Sequence, residues 1–322
     1  MRGMIVAAGL GTRLRPLTRW RPKPAVPVHG VPLIAYSLAL LAKHGVDEIS
    51  VNVHHLPDEL EAAAREWCPS GVRLEFSRED ELLGTGGGIR KVAAFLRESD
   101  PCVILGGDML LDCDLDALLR AHRERDDAVT LLLREDARAG DFGTIGVDDE
   151  GCVRRIADRF DLGGSTRAGV YAWVNVVAPR AFDSLPDVAH FSHLDAWWAP
   201  LLRAGARDIR GELMAADTGI WEPVGTLEEY LDANLRPLSL SYFDVAAASR
   251  RAGARIETTK AGAADVILGA GAQLGPDVEL HRAVVWDGES VPAGFHGAEG
   301  VWAGGAWHAL PARSKPCEEK TE

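Results

Sequence analysis

Short apolar runs that alternate with segments of helical spacing constrain the first 135 residues of this chain more than any other feature. Gly3 to Ala7, Glu48 to His54, Val72 to Phe76, Cys102 to Gly106 and Ala128 to Leu133 have the character of strands. Between them, Pro32 to Lys43, Pro57 to Trp67, Gly88 to Arg97 and Leu115 to Arg125 carry apolar residues three and four apart, as a helix with one buried face does. Strands that are apolar throughout are covered on both faces, and strands separated by helices pair in parallel. The expected fold class is α/β, a Rossmann-like, doubly wound, mixed and mainly parallel sheet. Strands at Thr144 to Val147, Val153 to Asp158 and Val170 to Ala178, with helices at Leu194 to Ala204 and Leu227 to Ala233, are expected to form a lid that completes one domain over residues 1–240.

From about Ile256 the texture changes to short β-prone pieces separated by glycine. Apolar residues recur roughly every six positions, at Val266, Ala272, Val278, Val284 and, after a longer step, Val291. That period predicts one or two coils of a β-helix within residues 241–310, and the polar end at 311–322 is expected to be a mobile tail. An open coil end presents unpaired strand edges, so a homo-oligomer formed through this segment stays an open reading.

A formal net charge of -13 repels a phosphate backbone, so neither nucleic acid nor an anionic membrane is an expected partner. The five cysteines, Cys68, Cys102, Cys113, Cys152 and Cys317, contain no CxxC pair. They suggest neither a zinc site nor a redox couple, and a cytoplasmic setting is expected. The opening apolar run is short and gives way at once to Gly9, Gly11 and Arg13, so it is taken as a buried strand rather than a signal peptide. Val31 to Ala42 falls well short of the roughly 20 residues a transmembrane helix needs.

Three segments carry chemistry. The first, AAGLGTRLRPLTRWRPKP from Ala7 to Pro24, follows the first strand at its carboxyl end, where open α/β sheets bind ligands. Gly9 and Gly11 allow close backbone approach, exposed N–H groups can cradle phosphate, and Arg13 and Lys23 add the positive charge that an acidic chain must supply locally. Leu14 stands where the dinucleotide fingerprint needs glycine, and the GK[ST] ending of a Walker A loop is absent. The second segment, Gly106 to Asp114, puts Asp108 at the same sheet edge as a ligand for Mg²⁺, which favours one or two carboxylates plus phosphate oxygens. Asp112 and Asp114 are expected to cap the helix from Leu115. The third, Glu81 to Val92, has glycines at 84, 86, 87 and 88 before a helix, a backbone against which a nucleobase could lie, with a plain helix entrance as the alternative. Glu79 just upstream could accept from the two adjacent donors of guanine, or could simply be solvated. The aromatic group Trp197, Trp198, His193 and Trp221 could wall a sugar but more often such residues pack a core, and the adjacent His54 and His55 point to opposite faces of a strand and receive no ligand role.

In this order the three segments resemble the sugar-1-phosphate nucleotidylyltransferases, over roughly residues 1–235. The family's GxGTRxxPLT loop, PKP, LGT/AGG element and GD are met by Gly9 to Thr18, Pro22 to Pro24, Leu83 to Gly87 and Gly107-Asp108. The C-terminal coils are similar to the short left-handed β-helix of bacterial mannose-1-phosphate guanylyltransferases, and N-acetylmuramate-1-phosphate uridylyltransferases are also close. The resemblance implies an NTP, GTP or UTP, and a sugar 1-phosphate as substrates, with Mg²⁺. Arg13 would hold the β- and γ-phosphates and Lys23 would neutralise the α-phosphate. Asp108 would bind the metal, and Ala7, Ala8, Gly9, Gly11, Thr12, Glu79, Gly84, Thr85 and Gly86 would surround the nucleotide. Lys23, Arg159 and Asn175 would meet the sugar phosphate.

One position departs from the pattern. The family's second metal ligand is an Asp two residues before Gly-Thr, and here that residue is Pro223, so either Glu222 takes over its role or the site relies on Asp108, phosphates and more water, with Glu222 structural. The departure keeps a second reading open, a non-catalytic regulatory protein that binds a nucleotide or nucleotide sugar. A dehydrogenase reading is weakened by Leu14.

Overall fold

The computed structural model describes residues 1–258 and 264–311, so the tail expected at 311–322 lies, but for Pro311, outside the described residues. The chain begins with β1 (Arg2–Val6), runs through the glycine-rich loop, and continues into α1 (Leu33–Lys43), β2 (Glu48–Val53), α2 (Pro57–Glu66), β3 (Arg73–Arg78), α3 (Gly84–Lys91) and β4 (Cys102–Gly106). β5 (Met109–Asp112), α4 (Leu115–Arg125), β6 (Val129–Arg134), β7 (Ile145–Val147), β8 (Val153–Ile156), β9 (Phe160–Asp161), β10 (Arg167–Val177), β11 (Ile209–Met214), β12 (Ile220–Pro223) and α5 (Leu227–Leu235) follow.

β1 to β4 and β6 to β11 form one ten-stranded sheet, with β9-β8-β7-β10-β4-β1-β2-β3 as its main path. β1 pairs in parallel with β2 and β4, and β2 with β3. The expected sequence of parallel strands ends there. β6 does not lie beside β4, because β10 inserts between them, antiparallel to both, and β11 then pairs in parallel with β6. Sheet order depends on which later strand reaches the gap, and a local apolar pattern carries no such information.

The pleat explains the apolar strands. On one face, Ile5, Val51, Val103 and Leu105 pack with α1, α2 and α4 through Leu38, Leu60 and Leu118. On the other, Met4, Cys102 and Ile104 meet Ile89 of α3 together with Trp197, Trp198 and Leu202. Trp197 and Trp198 are thus core residues. Asp114 caps α4 by accepting from the Ala117 N–H at 2.8 Å, whereas Asp112 has another task, binding the backbone N–H and hydroxyl of Ser241. Among the described residues no helix is long and apolar enough to cross a membrane.

After a short helix at Val245–Arg251, three strands stack in parallel: β13 (Ala264–Leu268), β14 (Glu279–Val285) and β15 (His296–Ala303). Val266, Ala283 and Gly300 stand in register. Val266, Ala272 and Val291 point into this segment with Trp302, while Val284 turns outward with Ile267 and Trp286 toward Tyr230 and Leu231 of α5. The Tyr230 hydroxyl joins three regions, donating to the Pro27 carbonyl at 2.7 Å and accepting from the Trp286 indole at 2.9 Å. The same segment also grips the glycine-rich loop. The Trp20 ring lies so close over Gly304 that a Cβ there would sit 2.1 Å from it, and Arg21 pairs with Asp287 at 2.7 Å.

Candidate active site

Two cavities open at the carboxyl edge of β1 and β4 and share Lys23, Gly84, Thr85, Asp108 and Trp173. The smaller, about 220 Å³, is bounded by Ala7, Ala8, Gly9, Asn52 and Glu79. The larger, about 540 Å³, is bounded by Arg13, Arg159, Tyr171, His193, Trp221 and Gly225 among others. Arg13, Lys23 and Asp108, expected to share one ligand, therefore face a common space. Lys23 comes from a turn just before α1 and Asp108 from the bend between β4 and β5, and Lys23 Nζ donates to Asp108 Oδ2 at 2.7 Å. Lys23 is buried, whereas the Asp108 side chain is 46% exposed toward the cavity. Arg13 reaches in from a short turn, its Nη2 only 3.1 Å from where a Gly225 Cβ would stand.

The loop is braced on several sides. The Ala7 N–H donates to Asn52 Oδ1 at 2.7 Å, the Thr18 hydroxyl donates to the Gly11 carbonyl at 3.0 Å, and His55 Nε2 donates to the Thr18 carbonyl at 2.6 Å. Ala7 thus spends its donor on the protein. Gly11 has φ +59 and crowds Thr18 and Lys23, so it shapes the turn without lining either cavity, and Thr12 lines neither as well. A Cβ on Gly9, by contrast, would meet nothing within 4 Å, which leaves space above the backbone for a ligand.

Glu79 is buried at the rim of the smaller cavity. Its Oε1 accepts from Asn52 Nδ2 at 2.8 Å and its Oε2 from the Leu83 N–H at 3.1 Å. A carboxylate has about four lone-pair sites, so it retains capacity for two more donors. His54 helps fix this corner, with Nδ1 donating to the Glu79 carbonyl at 2.8 Å.

Of the two readings of the glycines at 84, 86, 87 and 88, the helix entrance is the one seen. α3 begins at Gly84, not Gly88. A Cβ on Gly86 would stand 2.2 Å from the Phe191 ring and one on Gly87 2.0 Å from the Ala189 carbonyl oxygen. The bare backbone packs against protein, and only Gly84 and Thr85 of this run reach the cavities.

Three expected residues are placed elsewhere or otherwise engaged. Glu222 pairs with Arg138 at 3.0 Å and Arg236 at 3.3 Å, while Trp221 and Pro223 line the larger cavity. Alternation along β12 turns the carboxylate between them out of the cavity that they line, toward the two arginines. Asn175 is 1% exposed, donates through Nδ2 to the Ile104 carbonyl at 3.2 Å, and lines neither cavity. Arg159 does line the larger cavity but is held by Asp195 at 2.9 Å.

Several cavity residues had no motif to announce them. A bulge in β10, where Trp173 adopts φ +54, presents both Tyr171 and Trp173 to the larger cavity. The His193 ring lies 4.9 Å from that of Trp173. Burial holds His193 down to about 3, with nearby Asp195 opposing only weakly, so its imidazole is neutral at physiological pH. Asn52 did leave a trace, as one of two polar residues, with Ser50, inside the run of β2.

Among the described residues no group of three or more His, Cys, Asp or Glu side chains could enclose a metal. Asp108 offers its carboxylate at the edge the two cavities share, while Glu79 lies apart at the rim of the smaller one. Such a donor set suits an ion completed by phosphate oxygens and water rather than a cage of side chains.

The sequence model of the family described as "Nucleotidyl transferase" matches residues 2–239. A mannose-1-phosphate guanylyltransferase of Mycobacterium tuberculosis is 30% identical over 302 residues, which cover 90% of this chain and 81% of that protein. A UTP–glucose-1-phosphate uridylyltransferase of Synechocystis is 31% identical over 199 residues, covering 58% of this chain and about half, 51%, of that protein. Among solved structures, HddC from Yersinia pseudotuberculosis, complexed with GMP-PN, aligns with a TM-score of 0.59 at 21% identity over 72% of this chain and 97% of that one, a likeness of fold. Since the family match runs from β1 through α5 and takes in every residue that lines the two cavities, the chain belongs to the nucleotidyl transferase family and is an enzyme of nucleotidyl transfer.

Proposed function

We propose that this enzyme joins the nucleoside monophosphate of an NTP to a sugar 1-phosphate with release of pyrophosphate, and that GTP and mannose 1-phosphate are its preferred pair. The observation that carries the reading is the meeting of two cavities at Lys23 and Asp108, with Arg13 facing the larger. One cavity suits a base and the other a sugar, and the phosphates of both substrates would converge on the shared edge. A phosphate oxygen of the sugar substrate attacks the α-phosphorus in line, one P–O bond forms as the bond to the β-phosphate breaks, and pyrophosphate departs. No protein nucleophile is required, so catalysis rests on positioning and on compensation of charge.

In this mechanism Lys23 exchanges part of its contact with Asp108 for the α-phosphate, and Arg13 holds the departing phosphates. Asp108 would hold Mg²⁺, which supplies neutralisation of the triphosphate charge. Glu79 favours guanine, because its two spare acceptor sites match the adjacent N1–H and N2–H donors of that base, and uracil offers only one such N–H. The guanylyltransferase name of the Mycobacterium tuberculosis relative supports the same choice. The parallel stack of β13, β14 and β15 supports reading the C-terminal segment as a left-handed β-helix, and the cysteine pattern a cytoplasmic setting.

The test is pyrophosphate release measured for each NTP against a panel of sugar 1-phosphates with Mg²⁺. The highest catalytic efficiency is expected for GTP with mannose 1-phosphate. Preference for UTP overturns the base assignment, and release from no pair overturns the sugar 1-phosphate reading.

A further inference from the structure

We infer that Thr85 offers the ligand a hydrogen-bond acceptor and no donor, because a one-way chain of hydrogen bonds from the sheet commits its proton to His193. The chain starts in the core. Asn175 Nδ2 faces the Ile104 carbonyl at 3.2 Å, and since a carbonyl only accepts, the amide orientation is fixed with Oδ1 directed at Tyr171. The Tyr171 hydroxyl donates to that Oδ1 at 2.6 Å, which leaves its oxygen as the acceptor for His193 Nε2–H at 3.3 Å. A neutral imidazole with Nε2 protonated has a bare Nδ1, and the Thr85 hydroxyl donates to it at 2.6 Å. Thr85 Oγ1 also accepts the His193 backbone N–H at 3.2 Å. One lone pair remains, and Thr85 lines the junction of the two cavities.

Tyr171 and His193 line only the larger cavity. Thr85 borders both cavities, and because its relay partners lie on the side of the larger one, the donor assigned to it is a hydroxyl of the sugar 1-phosphate in place of the nucleotide contact that the resemblance implied, an assignment that rests on the proposed function. Asn175, expected to touch the sugar phosphate itself, acts instead at a distance, as a positioning residue that sets the polarity of the chain. His122 provides a built-in contrast. Thr130 donates its hydroxyl to Asp127 Oδ2 at 2.9 Å, so His122 must donate to Thr130 through Nδ1, also at 2.9 Å, and it carries the opposite tautomer.

The chain is tested by ¹⁵N NMR of the full-length protein labelled at histidine. The expected result is a neutral His193 with Nε2 protonated beside a His122 with Nδ1 protonated. A His193 protonated at Nδ1 overturns the inference. In Tyr171→Phe the Nε2–H loses its acceptor, and a substantial Nδ1–H population is expected at His193, whereas an unchanged tautomer overturns the relay. These signals are read without substrate, so they stand apart from the proposed function, which fails separately if no substrate pair turns over. On the functional side, Thr85→Val is expected to raise KM for mannose 1-phosphate by about tenfold, the usual worth of one buried hydrogen bond, and Thr85→Ser to recover most of it. A rise confined to KM for GTP overturns the assignment of the donor to the sugar.

Discussion

Lys23 Nζ and Asp108 Oδ2 stand 2.7 Å apart although 85 positions separate the residues in the chain. The loop after β1 and the bend after β4 thus bring a buried cation and a half-exposed carboxylate into direct contact at the one edge both cavities share. Each residue compensates the other's charge.

Asp108→Asn tests that arrangement most directly. It removes the charge and little volume, so the folded structure is retained and turnover is expected to fall by at least about 100-fold. Pyrophosphate release, with far-ultraviolet circular dichroism as the folding control, reads the outcome. Wild-type activity in the variant would remove Asp108 from the chemistry.

Glu222→Gln makes the opposite prediction. Its carboxylate is turned to Arg138 and Arg236, in partly exposed pairs worth at most about 1 kcal/mol. The apparent Mg²⁺ affinity, taken from activity titrations, is expected to stay unchanged. A marked loss of affinity would mean that the strand rearranges when substrate binds.

Gly86 and Gly9 should respond to alanine in different ways. A Gly86 Cβ would stand 2.2 Å from the Phe191 ring, an overpacking that costs about 1–3 kcal/mol and lowers the urea midpoint. A Gly9 Cβ meets nothing within 4 Å, so Gly9→Ala is expected to leave that midpoint alone and to raise KM for the NTP. Equal stability for the two variants would contradict the packing described for α3.

Burial lowers His193 to about 3 and His122 to about 4, the latter helped by the neighbouring Arg180. Both are neutral when folded, while in the unfolded chain they take up protons near pH 6.5. Between that pH and their folded values the unfolded state holds more protons, so stability falls on acidification, by about 1.4 kcal/mol per pH unit for each histidine. Urea unfolding followed from pH 6.5 to 5 should therefore show a steep loss, and His122→Gln should flatten it. A level profile over that range would show that neither histidine stays uncharged.

The sequence disclosed what local pattern can encode. Apolar runs and helical spacing announced β1 to β4 and their helices, and the Gly-x-Gly turn with Arg13 and Lys23 announced the ligand edge. Long-range packing stayed hidden. Nothing near residue 86 says that Phe191 will press on it, and nothing in β6 says that β10 will separate it from β4. The role of Glu222 was legible in part, since a strand that presents Trp221 and Pro223 to one side must present the residue between them to the other. Asn175 could not be placed, because the bulge at Trp173 breaks the alternation from which its direction would have been counted.

The grip of Trp20 on Gly304 and of Arg21 on Asp287 bears on how the protein can be divided. Those two side chains sit on the stretch that delivers Lys23, so trimming the chain after α5 would strip the support from behind the cavity edge that Lys23 and Asp108 form. The family match ends at residue 239, yet a fragment cut there would leave bare Tyr230, Leu231 and the loop that they and Trp286 enclose. The C-terminal strands therefore function as a splint for the active site, and an attempt to express a minimal enzyme should keep them.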